Sequence, residues 1–161
     1  MDARLTAFTD VRLLLIAVWL GAAVFFSFAV APSAFAVLPQ RELAGAVVNR
    51  TIAIVNVGGF VVSLFLLATA FIGSGGVSRR AWLAEVAALA IIALATGVGR
   101  WVIAARMQAL RLALGRPIDE VAKDDPLRVA FNSLHGYSVA AMSVGMIAAV
   151  VALLLIARRR G

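Results

Sequence analysis

Few side chains in this chain carry atoms that could bind or react. His135 is the only histidine, and cysteine is absent. A disulfide framework, a thiolate metal site and a cysteine nucleophile are therefore excluded. Met142 and Met146 stand one helical turn apart, about 6 Å, a spacing at which two thioethers could share a soft ion such as Cu(I). His135 and Met142 stand two turns apart, about 10 Å, too far to share one small ion easily. A bis-histidine haem site cannot be built from one histidine within one protomer. No cofactor is expected, with Cu(I) or haem as the minor alternatives. No Ser-His-Asp set, phosphate loop or paired-carboxylate arrangement occurs, so the chain is not expected to be an enzyme.

The remaining polar groups fall into stripes. Asn49, Asn56 and Ser63 repeat every seven residues. Thr96, Arg100, Met107 and Arg111 fall in one stripe at the helical period, and Arg128, Asn132, His135, Met142 and Met146 in another. Asparagine at heptad spacing also serves as interhelical glue, and Thr96 and Ser63 can bond their own backbone. Gly97, Gly99, Ala141, Gly145 and Ala149 suit close helix contact. Arg100 either snorkels to the headgroups or turns inward to an anion.

These groups are positioned by four long apolar stretches, roughly Leu13–Val30, Ile52–Ile72, Ala81–Ala104 and Tyr137–Ala157, which place membrane spans at about 13–31, 50–72, 81–104 and 134–157. Each is long enough to cross ~30 Å of hydrocarbon as a helix. A chain of 161 residues that is 63% hydrophobic, with mean hydropathy +1.02, cannot hide that much apolar surface in one water-soluble core. The expected fold is all-α: an integral membrane up-down four-helix bundle forming one domain over residues 1–161. Ala34-Phe35-Ala36 resembles a signal-peptide cleavage site, but the apolar run before it exceeds a usual signal core, so a retained first helix is expected.

Breakers set the ends. The Ala31-Pro32 step is expected to stop helix one near Pro32. Pro39 suits the first turn of helix two, which then runs to Ile72 and stops at Gly73-Ser74-Gly75-Gly76. Ser78 is the expected N-cap of helix three, which continues through Arg106–Leu114 until Gly115 and Pro117. Asp124-Asp125-Pro126 reads as an N-cap followed by proline at the first position of helix four. Helices two, three and four thus extend beyond the bilayer on one side, as a helical crown opposite a plain face.

The net charge of +7 comes almost wholly from arginine; Lys123 is the only lysine. No basic face with stacking aromatics exists, so nucleic acid is not an expected partner. The cations instead meet headgroups and set topology. Arg4, Arg12, Arg79, Arg80 and Arg158–Arg160 flank the plain face; Arg41, Arg50, Arg106, Arg111, Arg116, Lys123 and Arg128 flank the crown. The counts tie. The crown cations are interleaved with Glu42, Asp119, Glu120, Asp124 and Asp125, whereas Glu85 is the acid nearest the plain face's helix-end arginines. This favours termini in the cytoplasm of a cell (inner) membrane.

One set of residues carries a resemblance. Trp19-Leu20-Gly21, Phe25-Phe26, Ala31-Pro32, Phe35 and Leu38-Pro39 are followed by Ala44-Gly45 and Asn49-Arg50. Later come Arg106-Met107-Gln108-Ala109-Leu110-Arg111 and Phe131-Asn132-Ser133-Leu134-His135-Gly136-Tyr137-Ser138. Over most of its length the chain resembles the family of small four-helix membrane proteins related to transmembrane protein 205, a domain of unknown function in bacteria. The resemblance implies the four-helix fold, and its link to platinum-drug resistance in eukaryotic relatives fits soft-metal or small-solute export. It brings no catalytic residues; Pro32, Gly45, Arg50, Arg106, Arg111 and His135 carry over as a pattern without an assigned role.

The resulting expectation is a protein that binds or helps to move a small ligand or soft metal ion through a polar crown into the bundle. Asn49, Arg50, Arg100, Arg106, Arg111, Arg128, Asn132 and His135 are the candidate ligand-binding residues, and Met142 and Met146 the candidate metal ligands. Facing stripes on helices three and four would bound a small polar cavity suited to an anionic or carbonyl-bearing ligand, with His135 tuning occupancy around pH 6–7. The alternative for those stripes is a closed network locking helix three to helix four. The alternative for the protein is a structural or accessory membrane protein that packs against a partner and takes no small ligand. The bilayer, and a second copy or another membrane protein, are the expected partners.

Overall fold

Four long helices carry the chain back and forth in a computed structural model that describes residues 3–72 and 74–160. Helix α1 covers Ala3–Phe25 and continues through a π-helical turn, Phe26–Val30, into Ala31–Val37. Helix α2 is Arg41–Ala68. Helix α3 covers Arg79–Gly97, a second π-helical stretch, Val98–Ile103, and Ala104–Leu114. Helix α4 is Pro126–Ala157. Each holds a window apolar enough to cross a bilayer. The shortest, α2, has 28 residues, about 42 Å at ~1.5 Å per residue. All four therefore outrun ~30 Å of hydrocarbon. The fold is an all-α, membrane-spanning up-down bundle.

Helix one corrects the expected stop at Pro32. In a regular helix the Pro32 ring would collide with the carbonyl four residues earlier, on Phe28. The π turn widens the coil just before it: the Ala31 N–H bonds back to the Phe26 carbonyl, five residues away. The helix then survives to Leu38, which is extended (φ −77°, ψ 133°) ahead of Pro39. The residue before a proline does end the helix, one proline later than the sequence suggested. As a result α1 also reaches the crown. Helix α2 starts at Arg41, so Pro39 stands before its first turn rather than in it, and the helix ends at Ala68, four residues short of the expected Ile72, in turns through residues 69–72.

The other ends follow local chemistry. The Ser78 hydroxyl accepts from the Ala81 N–H at 3.3 Å. The Asp125 carboxylate accepts from the Leu127 N–H at 2.8 Å, with Pro126 in the first turn. Gly115 closes α3 in the left-handed region (φ 62°), which costs a residue without a Cβ nothing. Gly73 lies outside the described residues, as do the side chains of Arg4 and Arg160.

Packing is close around Trp19. It is buried, and its indole N–H donates to the Val55 carbonyl at 2.9 Å. A Cβ on Gly59 would sit 2.5 Å from that indole, so only glycine fits there. Gly145 of α4 comes to the same ring and to Ala95. Ile16, Leu66, Leu89, Ile92, Ala149 and Ala152 complete a core of small and medium side chains. Small residues let membrane helices approach closely, where packing takes the place of a hydrophobic driving force.

Gly59→Ala should lower stability by about 1–3 kcal/mol, the usual cost of overpacking a closed core. Gly45→Ala, where an added methyl meets nothing within 4 Å, should be neutral or stabilising by up to about 1 kcal/mol. Thermal unfolding of the two variants in one detergent checks the contrast.

Candidate functional site

Most of the crown candidates lie on the surface. Asn49, Arg50, Arg106, Asn132 and His135 are exposed, and Arg100 is half-buried within the π-helical stretch of α3. Arg111 is half-buried with its guanidinium 5.1 Å over the Phe131 ring. Arg128 turns back onto its own connection, donating to the Val121 carbonyl. Helices α3 and α4 therefore do meet at the base of the crown, but through Arg111 and Phe131. Asn132 and His135 face away.

The reason is angular. The buried face of α4 runs through Phe131, Met142, Gly145, Ala149 and Ala152. At about 100° per residue its centre lies roughly 80° round the helix from the polar stripe drawn through Arg128, Asn132 and His135. Depth matters as well. Counting about 20 residues back from Arg158 puts the crown-side edge of the hydrocarbon near Tyr137. Asn132 and His135 lie outside that edge, where water or headgroups can bond them, so outward placement leaves neither desolvated.

Deeper in the bundle, Asn56, Ser63 and Thr96 are buried. Ser63 donates to the Phe60 carbonyl at 2.9 Å and Thr96 to the Ile92 carbonyl at 2.7 Å, each within its own helix. Gly99 leaves room for Asn56: a Cβ there would meet the amide nitrogen at 3.1 Å. Met142 is buried in the apolar core, and Met146 packs against it. Among the described residues, no three His, Cys, Asp or Glu side chains gather in a metal-ligating group.

The ionic centre lies at the opposite end. Arg12 of α1 donates from Nη2 to Glu85 Oε1 of α3 at 2.9 Å. Arg159, just past α4, meets Glu85 Oε2 at 2.6 Å. Arg12 and Glu85 are each 1% exposed, and Arg159 4%. The same guanidiniums reach the frayed end of α2: Arg12 donates to the Leu66 carbonyl at 3.0 Å, and Arg159 to the Ala70 carbonyl at 3.3 Å. The Trp82 indole donates to that Ala70 carbonyl as well, at 3.2 Å. One carboxylate thus gathers all four helices, and the arginines cap carbonyls that the helix end leaves open.

This corrects the reading of the plain face. Arg12 and Arg159 do not meet headgroups, whereas Arg79, Arg80 and Arg158 are exposed. Glu85 itself was the available signal. It is the only acid inside any of the four apolar stretches, and a carboxylate at that depth needs a cation. What the sequence withheld was which of the nearby arginines turn inward.

Glu85→Gln should cost about 3–5 kcal/mol, because two buried guanidiniums lose their counter-ion together. Arg12→Gln should cost less, since Arg159 still pairs the carboxylate. Arg79→Gln, exposed, should stay within about 0.5 kcal/mol of the parent. Thermal unfolding in detergent gives the order.

Comparison with known proteins places the chain by family alone. No curated protein and no solved structure matches it. A family described as a domain of unknown function (DUF4149) matches residues 14–115, more than half of the chain. The matched segment takes in Pro32, Gly45, Arg50, Glu85, Arg106 and Arg111, while Arg12, His135 and Arg159 lie outside it. With four long apolar helices in an up-down bundle, and with this match across three of them, the chain belongs to the DUF4149 family of small membrane-spanning proteins.

Proposed function

We propose that this protein is a structural or accessory membrane protein that packs against a partner membrane protein and takes no small ligand. One observation carries the reading: five of the eight crown residues expected to enclose a ligand are displayed on the surface. Asn49, Arg50, Arg106, Asn132 and His135 are all exposed, on helices stiff enough to hold them beyond the hydrocarbon. Such an array suits hydrogen bonding and ion pairing to the extramembrane segments of another protein. Phe131 of α4 is buried and lies under the Arg111 guanidinium of α3 where the two helices meet.

A photo-crosslinking side chain at Asn132, used in native membranes, should give one discrete adduct that Arg106→Glu abolishes. The same probe at buried Ala149 should give none. Small anions that raise the melting temperature of the purified protein, with the rise lost in His135→Ala, would overturn the reading in favour of a ligand site. On the accessory reading His135→Ala shifts stability by no more than about 0.5 kcal/mol, as at other surface positions.

The same reading keeps the termini in the cytoplasm and the crown outside. Arg12 and Arg159 are engaged with Glu85, but the exposed Arg79, Arg80 and Arg158 still lie against helix ends. In the crown, Arg41 is paired with Asp119 at 3.2 Å. A cysteine placed at Asp119 should label with an impermeant thiol reagent in intact cells, and one at Ser74 should not. The reverse pattern inverts the topology.

A further inference from the structure

The α3–α4 face toward the bilayer carries a long apolar groove. It consists of two adjoining hollows of about 380 and 420 Å³, which meet at Ile91 and Val144. Their linings run from Ala84 to Val98 on α3, about 21 Å at ~1.5 Å per residue. Alanines such as Ala87 and Ala141 keep the groove open, and branched side chains wall it. The lining is almost wholly apolar.

Its plain-face end is not apolar. Arg80 precedes Ala84 by four residues and Ala87 by seven, so it continues the groove-lining face of α3 by one more turn. Arg158 follows Val151 by seven residues and continues the lining face of α4 in the same way. Both arginines are exposed. Just inside them, the Glu85–Arg159 pair at 2.6 Å holds the two helix ends together. Two cations thus flank the mouth of an apolar groove.

The geometry points to an anionic phospholipid seated between α3 and α4, with its phosphate between Arg80 and Arg158 and one acyl chain in the groove. Length agrees: half of a ~30 Å hydrocarbon layer is about 15 Å, or about ten helical residues. Measured from Arg80, that ends at Ala90–Ile91, so the chain fills the hollow nearer the arginines, the one lined by Ala84, Ala87 and Ala88. Charge agrees as well. The ionic centre behind the groove contains two guanidiniums and one carboxylate, so the groove mouth faces no excess of acid on that side. Charge separates a lipid from a second transmembrane helix: an apolar helix face seated in the groove would leave Arg80 and Arg158 at its mouth without an anion. The site lies away from the crown residues on which the accessory reading rests, and stands independently of it.

Native mass spectrometry of the delipidated full-length protein in detergent tests this, using dioleoyl phosphatidylglycerol against dioleoyl phosphatidylcholine. The expected result is at least about fivefold more bound phosphatidylglycerol. Arg80→Gln/Arg158→Gln should remove that preference, and Arg80→Lys/Arg158→Lys should keep it. Ala87→Phe, which fills the groove, should reduce binding of both lipids. The arginines and Ala87 are exposed, and melting temperatures of the lipid-free variants establish that they fold. Equal retention of the two lipids by the parent protein overturns the proposal, as does an unchanged preference in the double glutamine variant. A dimer that Ala87→Phe abolishes, without any lipid preference, assigns the groove to a second copy and also overturns it.

Discussion

The ion pairs of Glu85 with Arg12 and Arg159 are the constraint from which the rest of the bundle can be understood. Ions at this depth cannot be left alone, because removing a charge from water costs several kcal/mol unless a counter-ion and hydrogen bonds compensate. Here one carboxylate serves two guanidiniums, which in turn satisfy carbonyls at the unravelling end of α2. The cluster leaves the Nε atoms of Arg12 and Arg159 buried without a partner. A buried ion pair adds little net stability over well-packed apolar side chains, but removing one partner is costly. A helix that slid or rotated by one residue would leave a buried charge unmatched, so the cluster fixes the register of α1, α3 and α4 against the end of α2.

From that fixed end the helices run toward the crown, and packing takes over from electrostatics. Trp19 needs the absence of a side chain at Gly59 and a carbonyl at Val55, and Gly145 brings α4 to the same ring. Asn56 needs the room left by Gly99. Two π-helical stretches interrupt the regular coil, and the first lies where a proline would otherwise force a break. The one at Phe26–Val30 carries α1 past Pro32. The one at Val98–Ile103 lies where α3 passes from the apolar span into the Arg106–Leu114 extension, and the edge-on contact of Phe60 with Trp101, ring centres 4.8 Å apart, ties it to α2.

The two ends of the molecule therefore differ in kind. At the plain face the charges of the ionic centre are internal, and the exposed arginines stand at the mouth of a lipid-facing groove. At the crown most of the charges are external: Arg41 pairs with Asp119 on the surface, and Arg50 and Arg106 are exposed, while Arg111 and Arg128 are half-buried. Functions that require an enclosed polar chamber find little support in such a layout. Surface recognition, by a partner at the crown and by lipid along the span, uses what is displayed.

The sequence by itself determined the class and most of the architecture. Apolar length is set by bilayer thickness, so four spans could be read without tertiary information. Caps at Ser78, Asp125 and Gly115 are local, since the group that caps a helix lies within a turn of the bond it makes. Prolines were legible as stops but not in rank: whether Pro32 or Pro39 ends α1 depends on a π turn that only the packed helix supports. The candidate site was least legible. Periodicity grouped Arg128, Asn132 and His135 on one face, yet it cannot say which face of a helix meets its neighbours, and a rotation of about 80° put Phe131 inside and Asn132 outside. Glu85 announced the need for a cation, while the choice of Arg12 and Arg159 over Arg79, Arg80 and Arg158 required three helix ends to converge. Which side chain is buried is a property of neighbouring helices, and that relation exists only once the chain has folded.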